Sequence, residues 1–108
     1  MFNYYIYRTY FNAKHSFNGD ITKIHGHSFT VVTYIGMKDS KEDIPFFKLE
    51  AIISSFIDQY RGRYLNELPE FEGCGNTLET IGDYFYEKLR KQLMKSGMEL
   101  YQLDISEN

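Results

Sequence analysis

The sequence predicts an α+β protein in which an antiparallel sheet carries two helices on one face. Two segments rich in aromatic and β-branched residues come first, and two segments with apolar residues at helical spacing follow. A short strand-like segment comes last. The composition supports a packed fold, because 43% of the 108 residues are hydrophobic and 25% are charged, as in ordinary globular proteins. At this length we expect a single domain over residues 1–108.

The first two predicted strands are Phe2–Ala13 and His27–Gly36. The first of them is rich in Tyr, Phe, Ile and Thr and contains neither Gly nor Pro, a composition that favours a strand. An Asn-Gly-Asp turn at residues 18–20 separates the two and predicts a hairpin. Alternation along the second strand places three apolar residues on one face: Phe29, Val31 and Ile35.

The first predicted helix begins at Pro45 and ends near Gly62, because Pro suits the first helical position and Gly the position just past a helix end. Its apolar residues recur at helical spacing and form one stripe: Leu49, Ile52, Ile53, Phe56, Ile57 and Tyr60.

The second predicted helix follows a loop over Asn66–Gly75. Asn76 and Glu79 resemble a capping box at its start, and Ser96-Gly97 ends it. The apolar stripe of this helix is Leu78, Ile81, Phe85, Leu89 and Leu93. The segment Glu99–Glu107 then predicts a last short strand.

Charge and cysteine content exclude several classes of protein. A net charge of −3 and a pI near 5.6 argue against nucleic-acid binding, which would require a basic surface. The single cysteine, Cys74, cannot form an internal disulfide, and no segment reads as a signal peptide or a membrane span. We therefore expect a cytoplasmic protein without a membrane partner. Aromatic residues reach 18%, and aromatic side chains at open sheet edges predict a homo-oligomer.

The three histidines all fall within thirteen residues, at His15, His25 and His27. His25 and His27 are two apart on a strand and share a face, and a hairpin would bring His15 beside them. Three imidazoles that leave a fourth position open are the ligand pattern of a catalytic zinc ion. The alternative is that these histidines are surface or core residues adjacent by chance.

Five motifs occur in an order that resembles one enzyme family. They are Phe11-Asn-Ala-Lys-His15, Ile24-His-Gly-His-Ser-Phe29, Tyr64-Leu-Asn66, Asn76-Thr-Leu-Glu79 and Ile105-Ser-Glu-Asn108. This series is similar to the motifs of the 6-pyruvoyl-tetrahydropterin synthase and 6-carboxytetrahydropterin synthase family. Each motif alone is weakly specific, but the ordered set covers nearly the whole chain.

The resemblance implies the tunnelling fold, in which three subunits close a barrel and two such rings often stack into a hexamer. It implies a zinc ion on His15, His25 and His27, and a pterin substrate held by Glu107 and Thr77. It also implies a lyase acting on 7,8-dihydroneopterin triphosphate or a related pterin, in queuosine or tetrahydrobiopterin biosynthesis.

The chain departs from that family at the residues that transfer protons. Ile21 occupies the position of the family's catalytic cysteine, and Arg61-Gly62 replaces its Asp-His pair. Neither of these last two residues can act as a general base at neutral pH. Asp20 and Cys74 are weak substitute candidates, although a turn residue and an incidental thiol are their simpler interpretations.

A further departure concerns the fold, and the replaced residues leave an alternative for the activity. The family's last strand has no counterpart in the sequence, so we expect a sheet that lacks it. Since the usual catalytic residues are replaced, the alternative to a lyase is a catalytically degenerate protein that binds zinc and a pterin.

Overall fold

The computed structural model describes residues 4–15, 25–39, 43–71 and 77–108. Within these ranges the elements are, in chain order, β1 (Tyr5–His15), β2 (His25–Met37), α1 (Phe46–Asp58), two single 3₁₀ turns (Leu65–Glu67 and Pro69–Phe71), α2 (Leu78–Met94) and β3 (Met98–Glu107). The predicted α+β class and the order of strands and helices are confirmed.

The described strands form one antiparallel sheet in the order β1-β2-β3. The hairpin register pairs Tyr5 with Ile35 at one end and His15 with His25 at the other. On the opposite side of β2, Phe29 pairs with Glu107. Both strands of the hairpin extend two residues further towards the turn than the sequence predicted, because His15 and His25 continue the ladder.

The hydrophobic core lies between one face of the sheet and the two described helices. Phe29, Val31 and Ile35 are completely buried, which confirms the predicted inner face of β2. Burial of apolar surface of this kind is the main favourable contribution to folding. Most residues of the two predicted helical stripes are buried: Leu49, Ile53, Phe56, Ile57 and Tyr60 from the first, and Ile81, Phe85, Leu89 and Leu93 from the second. Ile52 and Leu78 are only partly buried.

The ends of both helices differ from the prediction. Helix α1 ends at Asp58, and the chain then turns through Gly62, whose φ of 71° suits glycine. Helix α2 is capped by Thr77, whose Oγ1 accepts a hydrogen bond from the Thr80 backbone nitrogen at 3.1 Å. The capping box predicted at Asn76 is therefore wrong by one position, since the extended backbone of Thr77 brings its own hydroxyl to the helix start; Asn76 lies outside the described residues.

The described part of the segment between the helices, residues 59–71, contains two 3₁₀ turns. Its 3₁₀ turns bury Leu65, Leu68 and Phe71 against the core. Turns of three residues are too short to show the periodicity that reveals an α-helix in a sequence.

The outer face of the sheet carries large exposed side chains, among them Tyr4, Ile6, Tyr10 and Tyr101. In the parts of the chain that the structure describes, no helix is long and apolar enough to cross a membrane.

Candidate functional site

The candidate site lies at the end of the sheet where β1 ends, β2 begins and β3 ends. The backbone register pairs position 15 with position 25 and Ala13 with His27. Because side chains alternate along a strand, His27 belongs to the same face of the sheet as the buried Phe29. The structure does not describe the imidazoles of His15 and His25. What it establishes for them is the pairing of their backbones.

His27 and Glu107 meet on this inner face. Nδ1 of His27 lies 3.5 Å from Oε2 of Glu107, and the two side chains are 25% and 35% exposed. Both groups are therefore partly withdrawn from water yet still accessible. A carboxylate beside one ring nitrogen leaves the other ring nitrogen available to a further partner.

Aromatic side chains support the strands behind His27. The imidazole lies 6.1 Å from the ring of Phe29, measured between centroids. Phe29 stacks on Phe11 of β1 at 4.9 Å, and Phe11 packs against Phe85 of α2 at 5.8 Å. A continuous apolar contact therefore joins β2 to helix α2, and it fixes the strand that carries His27.

Polar side chains join the strands on the outer face, directly behind the same end. Ser28 Oγ donates to Asn12 Oδ1 at 2.7 Å, which links β2 to β1. On the other side, the backbone N–H of Asn108 donates to the Ser28 carbonyl at 2.8 Å. The carboxamide of Asn108 also contacts the Thr30 hydroxyl, with Nδ2 at 2.8 Å and Oδ1 at 3.2 Å. These contacts hold all the described strands together next to His27 and Glu107.

The outer edge of β1 near the site is covered by the segment that follows α1. Gly62 donates its N–H to the Asn12 carbonyl at 2.7 Å, and Lys14 donates to the Arg63 carbonyl at 2.9 Å. Tyr64 forms a parallel bridge with Lys14. The segment therefore pairs with the final part of β1 and leaves less of that strand edge exposed.

Arg61 fastens this segment to the sheet. Its Nε donates to Asp58 Oδ1 and its Nη1 donates to the Tyr10 carbonyl, both at 2.6 Å. The side chain thus connects the end of α1 to β1. Its partners are structural ones, and the spacing of Asp58 and Arg61 in the sequence already allows their ion pair.

Comparisons with known proteins agree with this fold. The sequence model of the family described as 6-pyruvoyl tetrahydropterin synthase matches residues 5–108. The chain belongs to this family. A search of curated proteins found no match. Among solved structures, the chain is similar to the 6-pyruvoyl tetrahydropterin synthase of Caenorhabditis elegans, with 21% identity, a TM-score of 0.80, and coverage of 98% of this chain and 89% of that chain. This similarity shows the tunnelling fold that the motifs implied.

Membership of the 6-pyruvoyl tetrahydropterin synthase family makes the positions of Arg61 and Gly62 informative. The resemblance aligns them with the family's Asp-His pair. Arg61 binds Asp58 and a backbone carbonyl, and Gly62 contributes a backbone N–H to the β1 edge. Both residues therefore serve the attachment of this segment to the sheet.

Thr77, expected to contact substrate, has a structural role at the start of α2. Its Oγ1 accepts the Thr80 N–H at 3.1 Å and lies 2.9 Å from the Thr80 hydroxyl. Among the contacts of the described residues, none joins Thr77 to His27 or Glu107. A role in substrate binding remains a prediction for this residue.

Several predicted site residues lie outside the described residues. These are Asp20 and Cys74; Ile21, at the position of the family's catalytic cysteine, also lies outside them. Within residues 4–15, 25–39, 43–71 and 77–108, no group of three or more His, Cys, Asp or Glu side chains could hold a metal ion. The imidazoles of His15 and His25 are not among the described side chains, so the predicted zinc site stays a prediction.

A cleft of about 220 Å³ opens at the other end of the sheet, between α2 and the start of β3. Lys38, Arg90 and Met98 are among its lining residues. Met98 pairs with Met37, which lies ten residue steps along β2 from His27, roughly 33 Å of extended strand, so this cleft is remote from the candidate site. The motifs and the family relationship point to the His27 end.

Proposed function

We propose that this protein is a zinc-dependent pterin lyase that acts on 7,8-dihydroneopterin triphosphate or a related pterin. His15, His25 and His27 hold the metal, and Glu107 holds the pterin ring. The observation that carries this proposal is the 3.5 Å approach of the Glu107 carboxylate to His27, at the strand ends where positions 15 and 25 pair. Family membership supports the same assignment.

The donor set suits zinc. Imidazole nitrogens are common zinc ligands, and three protein ligands leave a position for substrate oxygen. With Nδ1 of His27 directed at Glu107, Nε2 is the nitrogen that would face the metal. When bound, zinc would polarise substrate oxygen atoms and lower the pKa of the substrate's side-chain hydroxyls.

Glu107 would bind the pterin through its paired N–H donors. A carboxylate accepts two parallel hydrogen bonds from such an edge, and charge-assisted bonds of this kind are strong. Its side chain is 35% exposed, so a flat ring can reach the carboxylate from solvent. His27 then serves both parts of the site, because it would ligate the metal and contact the carboxylate.

Proton transfer requires a further group. Asp20 and Cys74 are the candidates that the sequence provides, and each is tested by its alanine variant. An assembled homo-oligomer of the family's kind would bring further side chains to the site. The exposed aromatic residues on the outer face of the sheet support such an assembly.

A second candidate function is favoured by one specific observation. Arg61 and Gly62 fasten the segment after α1 to β1, at the positions where the family has its proton-transferring pair. A protein that keeps the metal and pterin ligands but uses these positions structurally would bind a pterin without turning it over.

A turnover assay distinguishes the two functions. Zinc-loaded protein is incubated with 7,8-dihydroneopterin triphosphate, and triphosphate release and pterin products are followed by chromatography. Release that stops on chelation supports the lyase and directs attention to Asp20→Ala and Cys74→Ala. Tight pterin binding without release supports the binding protein. Absence of both zinc and pterin binding would contradict both functions.

A further inference from the structure

The carboxylate of Glu107 lies at a strand end that can open locally, because Glu107 is the last residue of β3. Strand ends open locally at little free-energy cost, and an opening here would move the carboxylate away from His27. A ligand that needs the carboxylate in one position would then bind less tightly, since only the correctly placed fraction is competent.

The residue after Glu107 counteracts this opening. Asn108 continues the ladder with an N–H to Ser28 carbonyl bond of 2.8 Å. Its carboxamide contacts the Thr30 hydroxyl on the outer face, at 2.8 Å from Nδ2 and 3.2 Å from Oδ1. Thr30 and Ser28 flank Phe29, the residue that pairs with Glu107.

Because side chains alternate along a strand, the outer-face contact of Asn108 affects the orientation of Glu107 on the inner face. Consecutive residues of a strand point to opposite faces, so fixing Asn108 on the outside fixes the direction of Glu107 on the inside. The contact of Asn108 with Thr30 and the pairing of Phe29 with Glu107 therefore couple the orientation of Glu107 to the outer face.

We propose that Thr30 and Asn108 are positioning residues that hold the Glu107 carboxylate beside His27 in its ligand-binding orientation. The proposal rests on the proposed role of Glu107 in pterin binding. Neither residue touches the pterin. They act through the end of β3.

The test measures binding of neopterin to zinc-loaded protein by equilibrium dialysis, with zinc content determined in parallel. Thr30→Val and Asn108→Ala should each raise the dissociation constant roughly three- to tenfold, the size of one hydrogen bond. The double variant should lose no more than the weaker-binding single variant, because both remove one interaction. Thr30→Ser keeps the hydroxyl and should bind as the parent does.

Two controls separate positioning from general damage. Gln102→Ala removes another exposed outer-face amide of β3, which bonds to Asp104 within the strand at 2.8 Å, and should leave neopterin affinity unchanged. In a Glu107→Ala background, Thr30→Val should have no further effect on affinity. Zinc content should stay constant throughout.

The outcomes distinguish this proposal from the proposed function. If Glu107→Ala weakens neopterin binding but Thr30→Val and Asn108→Ala do not, the positioning role is overturned and the role of Glu107 stands. If Glu107→Ala has no effect, the pterin assignment itself is wrong. An equal loss from Thr30→Val with and without Glu107 would mean general loosening of the sheet, and it would also overturn the proposal.

Discussion

Nδ1 of His27 lies 3.5 Å from Oε2 of Glu107, although the two residues come from β2 and from the last position of β3. This contact joins one of the predicted zinc ligands to the carboxylate that the family resemblance assigns to the pterin. It gives the proposed metal and substrate sites a shared boundary, and it makes each of them separately testable.

His27→Ala should abolish stoichiometric zinc binding, because a site with two imidazole ligands holds zinc much more weakly than one with three. Metal content after dialysis, measured by mass spectrometry, checks this. Asp104→Ala, on the outer face of β3, is the matched control and should retain zinc. Full zinc occupancy in His27→Ala would remove His27 from the ligand set.

Glu107→Gln should weaken neopterin binding roughly ten- to hundredfold while zinc content stays unchanged, because it replaces a charge-assisted acceptor by a neutral amide of the same shape. Equilibrium dialysis against neopterin measures the effect. An unchanged affinity would show that another group holds the pterin ring.

Arg61→Ala should lower the free energy of unfolding by about 0.5–1 kcal/mol, because it removes the bond from Nη1 to the Tyr10 carbonyl at a site that is largely exposed to solvent. Urea denaturation measures this loss. Arg63→Ala, where the contact with β1 is made by the backbone, should have a smaller effect. A loss of turnover in Arg61→Ala larger than its loss of stability would instead indicate a catalytic role.

Gly82→Ala should destabilise the protein even though alanine is the better helix former by about 1 kcal/mol. A Cβ at this position would lie 2.9 Å from Cγ2 of Ile105, so α2 and β3 would have to separate. In an Ile105→Ala background the clash disappears and Gly82→Ala should become stabilising. The sign change, measured by urea denaturation, identifies close helix–strand packing as the reason for this glycine.

Tyr60 should make stability depend on pH in the alkaline range. Burial, together with a hydrogen bond to Tyr84, raises the pKa of its phenol above the ordinary value of 10.0. The neutral phenol is therefore favoured in the folded state, and its contribution is complete below pH 10 and is lost as pH rises towards the folded-state pKa. Urea denaturation at about pH 8 and about pH 10.5 should show a smaller decline in Tyr60→Phe than in the parent protein. Equal declines would show that Tyr60 is not the group responsible.

Much of the fold could be predicted from the sequence because it is encoded locally. The alternation in β2 and the stripe at helical spacing in α2 place Val31 and Phe85 in the core, and both are completely buried. Helix ends were less predictable, since several residues compete to cap a helix. Thr77 rather than Asn76 caps α2 because of its backbone conformation, which neighbouring sequence alone does not specify.

The sequence by itself determined the α+β class and the buried faces, and it predicted a zinc site on His15, His25 and His27. These follow from side-chain period and from spacing along the chain, which are local properties. Only the tertiary structure decided that Glu107 meets His27, that Asn108 reaches Thr30 and that Arg61 bonds to β1. The reason is physical: contacts between distant segments depend on strand register and on how the helices pack, and these are set by the whole core at once.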